Sequence, residues 1–214
     1  MEMIQYCKTN NQIFDNQGYY LVDNLYDPKE LYEEVPKERG QIKYFGSLEK
    51  FNHVDTESQV NGSLARYSHP KYKFIHSQIR LKIEKIIGKK LFDTYYYDRF
   101  YFAGQELTPH VDRPACEISV SVHISSNLSD YWPFKIETQD KQIHSLGLDP
   151  GDGVIYKGCD RRHWRDPMPS RYTKLQQLKN NIFKKEDDSY YHQIFFHYVL
   201  ADGYRCEYAF DRCS

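Results

Sequence analysis

Short stretches with alternating apolar and polar residues dominate the second half of this 214-residue chain. The clearest is 116–125, where apolar and polar positions alternate strictly: Cys116, Ile118, Val120, Val122 and Ile124 against Glu117, Ser119, Ser121, His123 and Ser125. This alternation predicts a half-buried antiparallel strand. The segments 95–102, 134–137, 153–156 and 190–200 also favour strands, and the last, apolar on both faces, is expected to be central. Many short strands with turns between them predict a sandwich or barrel.

A helical pattern precedes these strands. Apolar side chains recur at spacings of four, four and three, at Ile75, Ile79, Ile83 and Ile86, which predicts one helix face packed on a sheet. Pro70 suits the first helical position, with Ser68 or His69 as the cap, and Gly88 is expected to end the helix. Further upstream, 19–22 predicts a strand, 27–35 a short helix and 36–66 loops with at most one short strand. We therefore expect 1–93 to be a support region of strands and helices.

Residues 168–189 interrupt the strand pattern. Met168-Pro169-Ser170 breaks any regular element, 172–183 predicts a short amphipathic helix, and 184–188 is a run of charged residues. The segment precedes the last predicted strand, so we expect it near the mouth of a cleft. Both a lid that closes over a substrate and a surface insertion without function fit this pattern.

Two segments supply candidate metal ligands. His110 and Asp112 are separated by one residue, so on an extended strand or its exit both side chains point to the same side. His163, which follows a predicted turn and strand in 148–158, is the best candidate for a third ligand. Two histidines and one carboxylate on one face of an octahedral metal leave three positions open, as in non-haem Fe(II) oxygenases.

A longer pattern accompanies these ligands: Tyr101, Gly104-Gln105, His110-Val111-Asp112, Pro150-Gly151-Asp152 before a strand, and the distal His163. With this pattern, residues 94–201 resemble the 2-oxoglutarate/Fe(II)-dependent dioxygenase superfamily in its prolyl-4-hydroxylase-like branch. The resemblance implies one α+β, mainly β domain over 1–214. Its core would be a double-stranded β-helix (jelly roll) at 94–201, with N-terminal helices packed on the sheet and 168–189 as an insertion.

The resemblance also implies an activity. Fe(II) would be bound by His110, Asp112 and His163, with 2-oxoglutarate as co-substrate and O₂ as oxidant, and succinate and CO₂ would be formed. The branch implies hydroxylation of a protein or peptide side chain, proline first. The same chemistry on a small molecule or a nucleic acid is a second possibility. A third is a metal-binding jelly roll without oxygenase activity, isomerase-like or sugar-binding.

The co-substrate contacts depart from the family pattern. Tyr101 matches a tyrosine that the branch uses to bind 2-oxoglutarate, and His192 is a further candidate. The family places an Arg or Lys about ten residues after the distal histidine, at the start of the last strand. Lys174 has that spacing, but the predicted last strand begins near residue 190 and offers no cation there. Cations from neighbouring segments are therefore candidates for the anchor of the distal carboxylate: Arg99, Arg113, Lys135 and Arg165.

Other titratable residues have plainer interpretations. We expect His123 on a polar strand face, His144 in a loop, His197 packed and hydrogen-bonded, and Cys116 in the core. Glu117 is a candidate supporting contact of the site. The basic run Arg161-Arg162-His163-Trp164-Arg165 would either attract an acidic substrate or pair with Asp160 and Asp166.

Composition narrows the class of protein further. The net charge of −1 gives no nucleic-acid or membrane signature. Five cysteines at irregular spacing argue against a disulfide framework and a structural zinc site. No N-terminal apolar run and no stretch of about 18 apolar residues is present, so we expect a cytoplasmic protein. The partner would be a protein, peptide or small-molecule substrate, and the sequence predicts no oligomeric state.

Overall fold

A computed structural model of the chain describes residues 10–36 and 59–210. The helices in these ranges are α1 (Asn10–Gln17), α2 (Pro28–Leu31), α3 (Lys73–Ile87) and α4 (Lys174–Ile182). The first five strands are β1 (Tyr19–Val22), β2 (Leu64–Tyr67), β3 (Leu91–Phe102), β4 (Leu107–His110) and β5 (Ile118–Ser126). The last five are β6 (Phe134–Glu137), β7 (Ile143–Leu146), β8 (Gly153–Tyr156), β9 (His163–Arg165) and β10 (Tyr190–Leu200).

The described strands form two sheets. The larger has the order β1-β8-β5-β10-β3-β2 and the smaller the order β4-β9-β6-β7. Neighbouring strands are antiparallel in both sheets. From β3 onward the chain crosses repeatedly between them, with β3, β5, β8 and β10 in the larger sheet and β4, β6, β7 and β9 in the smaller. The prediction of a mainly β fold with helices packed on a sheet is confirmed.

The helix α3 covers the outer face of the larger sheet. Ile75, Ile79 and Ile83 are 7%, 0% and 0% exposed and pack with side chains of β5 and β10. His69 caps the preceding turn of 3₁₀ helix through its side chain, and the helix ends at Gly88, whose φ of 68° lies in the left-handed region that favours glycine. The helix and its end at Gly88 were correctly predicted, but the predicted start was wrong: Pro70 and His69 begin and cap the 3₁₀ turn, and α3 itself begins at Lys73 without a side-chain cap.

The inner face of the larger sheet points at the smaller sheet. Phe134 of β6 packs on Tyr156 of β8, with ring centroids 5.2 Å apart, and Trp132 packs on Tyr101 at 4.9 Å. The prediction of a half-buried β5 is therefore wrong. Its polar face is covered as well, and Ser119, Ser121 and His123 are 0%, 0% and 4% exposed. The alternating pattern arises because this polar face lines the space between the sheets.

Several elements differ from expectation. The helix α1 was not predicted, because its residues have little apolar character, and α2 is shorter than the predicted 27–35. Most of the predicted loop region 36–66 lies outside the described residues, and β2 is its one described strand. The insertion contains the predicted helix as α4, whose apolar residues Leu175, Leu178 and Ile182 are 64%, 58% and 68% exposed. No described helix is long and apolar enough to cross a membrane.

Candidate metal and co-substrate site

Three side chains that the sequence singled out meet at one end of the space between the sheets. His110 at the end of β4 and His163 at the start of β9 are register partners in the smaller sheet. Asp112 follows two residues after His110, and its Oδ1 lies 3.5 Å from Nε2 of each histidine. One ligand atom from each residue lies within 4.8 Å of the other two. This set of two imidazole nitrogens and one carboxylate oxygen is one that binds Fe(II).

Backbone carbonyls fix which imidazole nitrogen faces the centre. Nδ1 of His110 lies 2.8 Å from the carbonyl oxygen of Thr108, and Nδ1 of His163 lies 2.9 Å from that of Arg161. Because a carbonyl can only accept, each Nδ1 carries a hydrogen, which leaves Nε2 as the nitrogen that a metal can bind. The two Nε2 atoms face Asp112, as in metal sites whose ligands are oriented by surrounding hydrogen bonds.

The carboxylate of Asp112 is held on its other side. Ser119 donates a 2.9 Å hydrogen bond to Oδ2, and the Ser119 hydroxyl in turn lies 2.9 Å from Nδ1 of His197. Burial favours a raised pKa for Asp112, but His163 and His110 outweigh it and hold the pKa well below its usual range. Asp112 is therefore an anion, as a ligand of a divalent metal must be.

A buried arginine lies in the same space between the sheets. Arg165, two residues after His163 on β9, is 1% exposed and donates to the Trp132 carbonyl, to Gln193 Oε1 at 2.9 Å and to the Tyr191 hydroxyl at 3.2 Å. No carboxylate of the described residues lies within 4.0 Å of its guanidinium, and its Nε has no described hydrogen-bond partner. A buried cation without a counter-ion is unfavourable, so this arrangement favours an anionic ligand.

Further polar atoms on the inner face of β5 lack described partners. They are Oγ of Ser121, Oγ of Ser125 and Nε2 of His123, and His123 stacks on Tyr191 with ring centroids 4.2 Å apart. Its Nδ1 lies 2.8 Å from the Leu148 carbonyl, and burial lowers the pKa of His123 to about 4. Together with Arg165, these atoms form a polar wall that fits a dicarboxylate such as 2-oxoglutarate.

Arg99 and Tyr101 line the opposite part of this space. Both are 0% exposed, and Arg99 donates a 2.9 Å hydrogen bond to the Tyr101 hydroxyl. Gln193 lies 3.4 Å from the same hydroxyl through Nε2, so it links Tyr101 to Arg165. Arg99 also donates to Gln59, whose amide nitrogen lies 3.0 Å from Nε2 of His110. A hydrogen-bonded chain thus runs from His110 to Arg165, through Gln59, Arg99, Tyr101 and Gln193.

The structure does not bring the other proposed co-substrate residues here. His192 lies on the outer face of the larger sheet, where it is 2.7 Å from Asp98 and stacks on Phe100. Arg113 is exposed and covers the Tyr95 ring, and Lys135 points out of the smaller sheet to pair with Asp166. Lys174 starts the exposed helix α4. His192 and Lys135 occupy outward strand positions, Arg113 lies in the loop after β4, and Lys174 belongs to the insertion.

The remaining titratable residues also have defined places. The prediction of His144 in a loop is wrong, because it lies on β7, where it bonds to Tyr19 at 2.6 Å outside the site. His197 is packed and hydrogen-bonded as predicted: its Nδ1 lies 2.9 Å from the Ser119 hydroxyl, and burial lowers its pKa to about 3. Glu117 bonds to the Leu200 amide and pairs with Arg205, so its role is structural. Within the basic run, Arg161 bonds to the carbonyls of Gln17 and Asp160.

Solved structures of 2-oxoglutarate-dependent oxygenases and prolyl hydroxylases have a similar architecture. A Pseudomonas putida prolyl-4-hydroxylase matches with a TM-score of 0.56 at 12% identity, over 87% of this chain and 96% of that one. A Trichoplax adhaerens prolyl hydroxylase, solved with a hypoxia inducible factor peptide, matches with a TM-score of 0.56 at 12% identity over 94% of both chains. The chain has the fold of the 2-oxoglutarate/Fe(II) oxygenases.

This oxygenase fold extends beyond hydroxylases. The non-haem, alpha-ketoglutarate-dependent epimerase of nogalamycin biosynthesis matches with a TM-score of 0.57 at 12% identity, over 90% of this chain and 81% of that one. No protein-family model matches the sequence, and no curated protein matches it. The similarity is therefore one of fold. In this chain the three candidate ligands and the buried Arg165 lie where the two sheets face each other.

Proposed function

We propose that this protein is an Fe(II)- and 2-oxoglutarate-dependent dioxygenase. The observation that carries the proposal is the joint presence, between the two sheets, of a metal-ligand triad and a buried arginine that has no carboxylate partner among the described residues. The triad fits a divalent metal with open positions, and the arginine fits the distal carboxylate of a dicarboxylate chelator. The crossing order of the strands further supports a double-stranded β-helix core at 94–201, with 1–93 as its support region.

His110, Asp112 and His163 would hold the metal. Their donor atoms face one another, the histidine tautomers are fixed by Thr108 and Arg161, and Asp112 is ionised. When bound, iron supplies the oxidising chemistry, in which 2-oxoglutarate becomes succinate and CO₂ and O₂ provides the oxygen atom that is inserted. The protein contributes ligand orientation and, through the covered inner faces of both sheets, exclusion of water.

Arg165 would bind the distal carboxylate of 2-oxoglutarate. Its guanidinium is held by Gln193 and Tyr191 and flanked by the Trp132 and Tyr191 rings, with the guanidinium carbon 4.7 Å and 4.6 Å from their centroids. A fixed planar guanidinium matches a carboxylate in two-pronged geometry. Arg165 thus supplies the cation that the last strand lacks. The alternative of a metal-binding jelly roll without oxygenase activity, which that missing cation supported, is therefore not favoured.

The proposed substrate is a peptide or protein side chain, with proline as the first to test. Structural neighbours that are prolyl hydroxylases, one of them solved with a peptide, support this choice. Stacked tyrosines on the inner face of β2 and β3 also support it: Tyr67 and Tyr97 have centroids 4.7 Å apart, and Tyr97 is 5.3 Å from the Arg99 guanidinium carbon. Flat aromatic faces suit the ring of proline.

The experiment is O₂-dependent turnover with purified, Fe(II)-loaded protein. We expect succinate from 2-oxoglutarate, increased by proline-containing peptides that gain one oxygen atom by mass spectrometry. His110→Ala and Asp112→Ala should abolish both metal binding and succinate formation while the protein remains folded. Full metal content in these two folded variants would overturn the ligand assignment.

A further inference from the structure

One side chain outside the triad touches a metal-facing atom. The amide nitrogen of Gln59 lies 3.0 Å from Nε2 of His110, the nitrogen that faces Asp112. Its amide oxygen lies 3.0 Å from a guanidinium nitrogen of Arg99. Gln59 therefore connects the proposed metal ligand to a fully buried arginine.

The orientation of this amide follows from hydrogen-bond chemistry. A guanidinium has only donors, so the oxygen of Gln59 must face Arg99 and its NH₂ must face His110. Arg99 is held in turn by its 2.9 Å bond to Tyr101 on the same strand and by cation–π contacts with Tyr97 and Phe195. The NH₂ group of Gln59 is thus presented to the site by a rigid support.

The NH₂ group of Gln59 lies 3.0 Å from Nε2 of His110, the nitrogen that would bind the metal. Because a metal-bound Nε2 has no lone pair left to accept a hydrogen bond, the amide hydrogen of Gln59 would turn to a ligand bound beside this nitrogen.

We propose that Gln59 is a positioning residue that donates a hydrogen bond to the metal-chelating carboxylate of 2-oxoglutarate, with its amide oriented by Arg99. The assignment rests on the proposed function, since it takes the keto acid as the chelator. In this proposal Arg99 orients Gln59 and does not contact the distal carboxylate of 2-oxoglutarate. Arg165, at the other end of the hydrogen-bonded chain, would bind that carboxylate.

The test is equilibrium binding without turnover. Wild-type protein, Gln59→Ala and Gln59→Glu are loaded with Fe(II) under anaerobic conditions, and 2-oxoglutarate is titrated while its visible charge-transfer band is followed. The Kd for Fe(II) is measured separately by competition with a chelating dye. Gln139→Ala serves as the matched control, because this glutamine is exposed and contacts only Arg161 among its described hydrogen bonds.

We expect Gln59→Ala to raise the Kd for 2-oxoglutarate about tenfold, shift the band and leave the Kd for Fe(II) within about twofold. Gln59→Glu should raise the Kd for 2-oxoglutarate further, because its carboxylate repels that of the keto acid. A wild-type Kd and band in Gln59→Ala would overturn the assignment, as would a tenfold loss of Fe(II) affinity with unchanged keto-acid binding, which would make Gln59 a metal ligand. If wild-type protein binds Fe(II) but no 2-oxoglutarate, the proposed function fails and this assignment fails with it.

Discussion

The hydroxyl of Ser119 donates a 2.9 Å hydrogen bond to Oδ2 of Asp112, the carboxylate oxygen turned away from the two histidines. Ser119 lies on β5 and Asp112 follows β4, so the bond joins the two sheets at the metal site. His197 completes the arrangement: because the Ser119 hydrogen goes to the carboxylate, Nδ1–H of His197 donates to Ser119 Oγ at 2.9 Å. Asp112 is thereby oriented from outside the triad.

Removal of this hydroxyl should weaken metal binding. Ser119→Ala is expected to lower Fe(II) or Co(II) affinity about 10- to 100-fold, the range found when contacts that orient ligands are lost. Chelator competition measures the affinity. Ser121→Ala, two residues along the same strand face and without a bond to Asp112, should keep wild-type metal affinity, and equal losses in both variants would contradict the account.

Gly158 is expected to tolerate no side chain. A Cβ at this position would lie 2.4 Å from Oδ2 of Asp112, 2.4 Å from the Cys116 carbonyl and 2.7 Å from Ser119 Oγ. Gly158→Ala should therefore displace the carboxylate, destabilise the fold by about 1–3 kcal/mol and weaken metal binding more than tenfold.

Thermal unfolding and metal titration test this expectation. Gly104→Ala is the control, because a Cβ there meets nothing within 4 Å although its φ of 84° disfavours alanine. It should lose stability without losing metal affinity. Gly158→Ala with unchanged metal affinity would show that Asp112 is not held as described.

Arg165 should determine the affinity for 2-oxoglutarate and have little effect on the affinity for Fe(II). Arg165→Leu removes the only buried cation on β9 and is expected to raise the Kd for 2-oxoglutarate at least 100-fold, with Fe(II) affinity within about threefold. Lysine keeps the charge but not the two-pronged geometry, so Arg165→Lys should be intermediate. Calorimetric titration of the Co(II)-loaded protein checks both values.

A swap of two neighbours sharpens that test. The Arg165 guanidinium and the Gln193 amide oxygen are 2.9 Å apart, and Gln193 lies at the start of the last strand. The double variant Arg165→Gln/Gln193→Arg should recover at least tenfold of the affinity that Arg165→Gln loses. No recovery in a folded double variant would argue that the position of the cation on β9 is itself required.

Acid should destabilise the protein partly through His123. Burial lowers its pKa to about 4 from an unfolded value of 6.5, so between these pH values the unfolded chain binds more protons. The contribution of His123 to the free energy of unfolding is therefore fully present above pH 6.5. It is lost as the pH falls towards 4, by on the order of 3 kcal/mol. His123→Gln should flatten the fall in free energy of unfolding between pH 6.5 and 4.5, measured by urea denaturation. An unchanged slope would contradict this prediction.

Local patterns predicted much of this architecture. The isoleucine spacing and Gly88 gave α3 and its end, and the spacing of His110 and Asp112 gave two candidate ligands on one side of the chain. The turn and strand before His163, together with the family resemblance, indicate this histidine as the third ligand, and the structure brings the three residues together. The helix and the His110–Asp112 pair depend on neighbours in sequence, which is why local patterns predict them, whereas the contact with His163 depends on the fold.

Features that depend on contacts between distant strands were missed. Ser119 and Gly158 support Asp112 only because β5 pairs with β8 and faces β4 across the two sheets. The sequence pattern does not choose among the four candidate cations for the distal carboxylate, although the two-residue period of a strand puts Arg165 on the same face as His163. Alternation alone does not distinguish a solvent-exposed face from one that lines a polar interior, which is why the pattern of β5 wrongly predicts a half-buried strand.

Anaerobic titration of 2-oxoglutarate into Fe(II)-loaded protein, followed by absorption spectroscopy, tests the proposed metal and co-substrate site directly. We expect a weak visible charge-transfer band that saturates at one equivalent of 2-oxoglutarate per bound iron and is absent in His163→Ala. Stoichiometric iron without any band in the wild-type protein would contradict an oxygenase that uses 2-oxoglutarate.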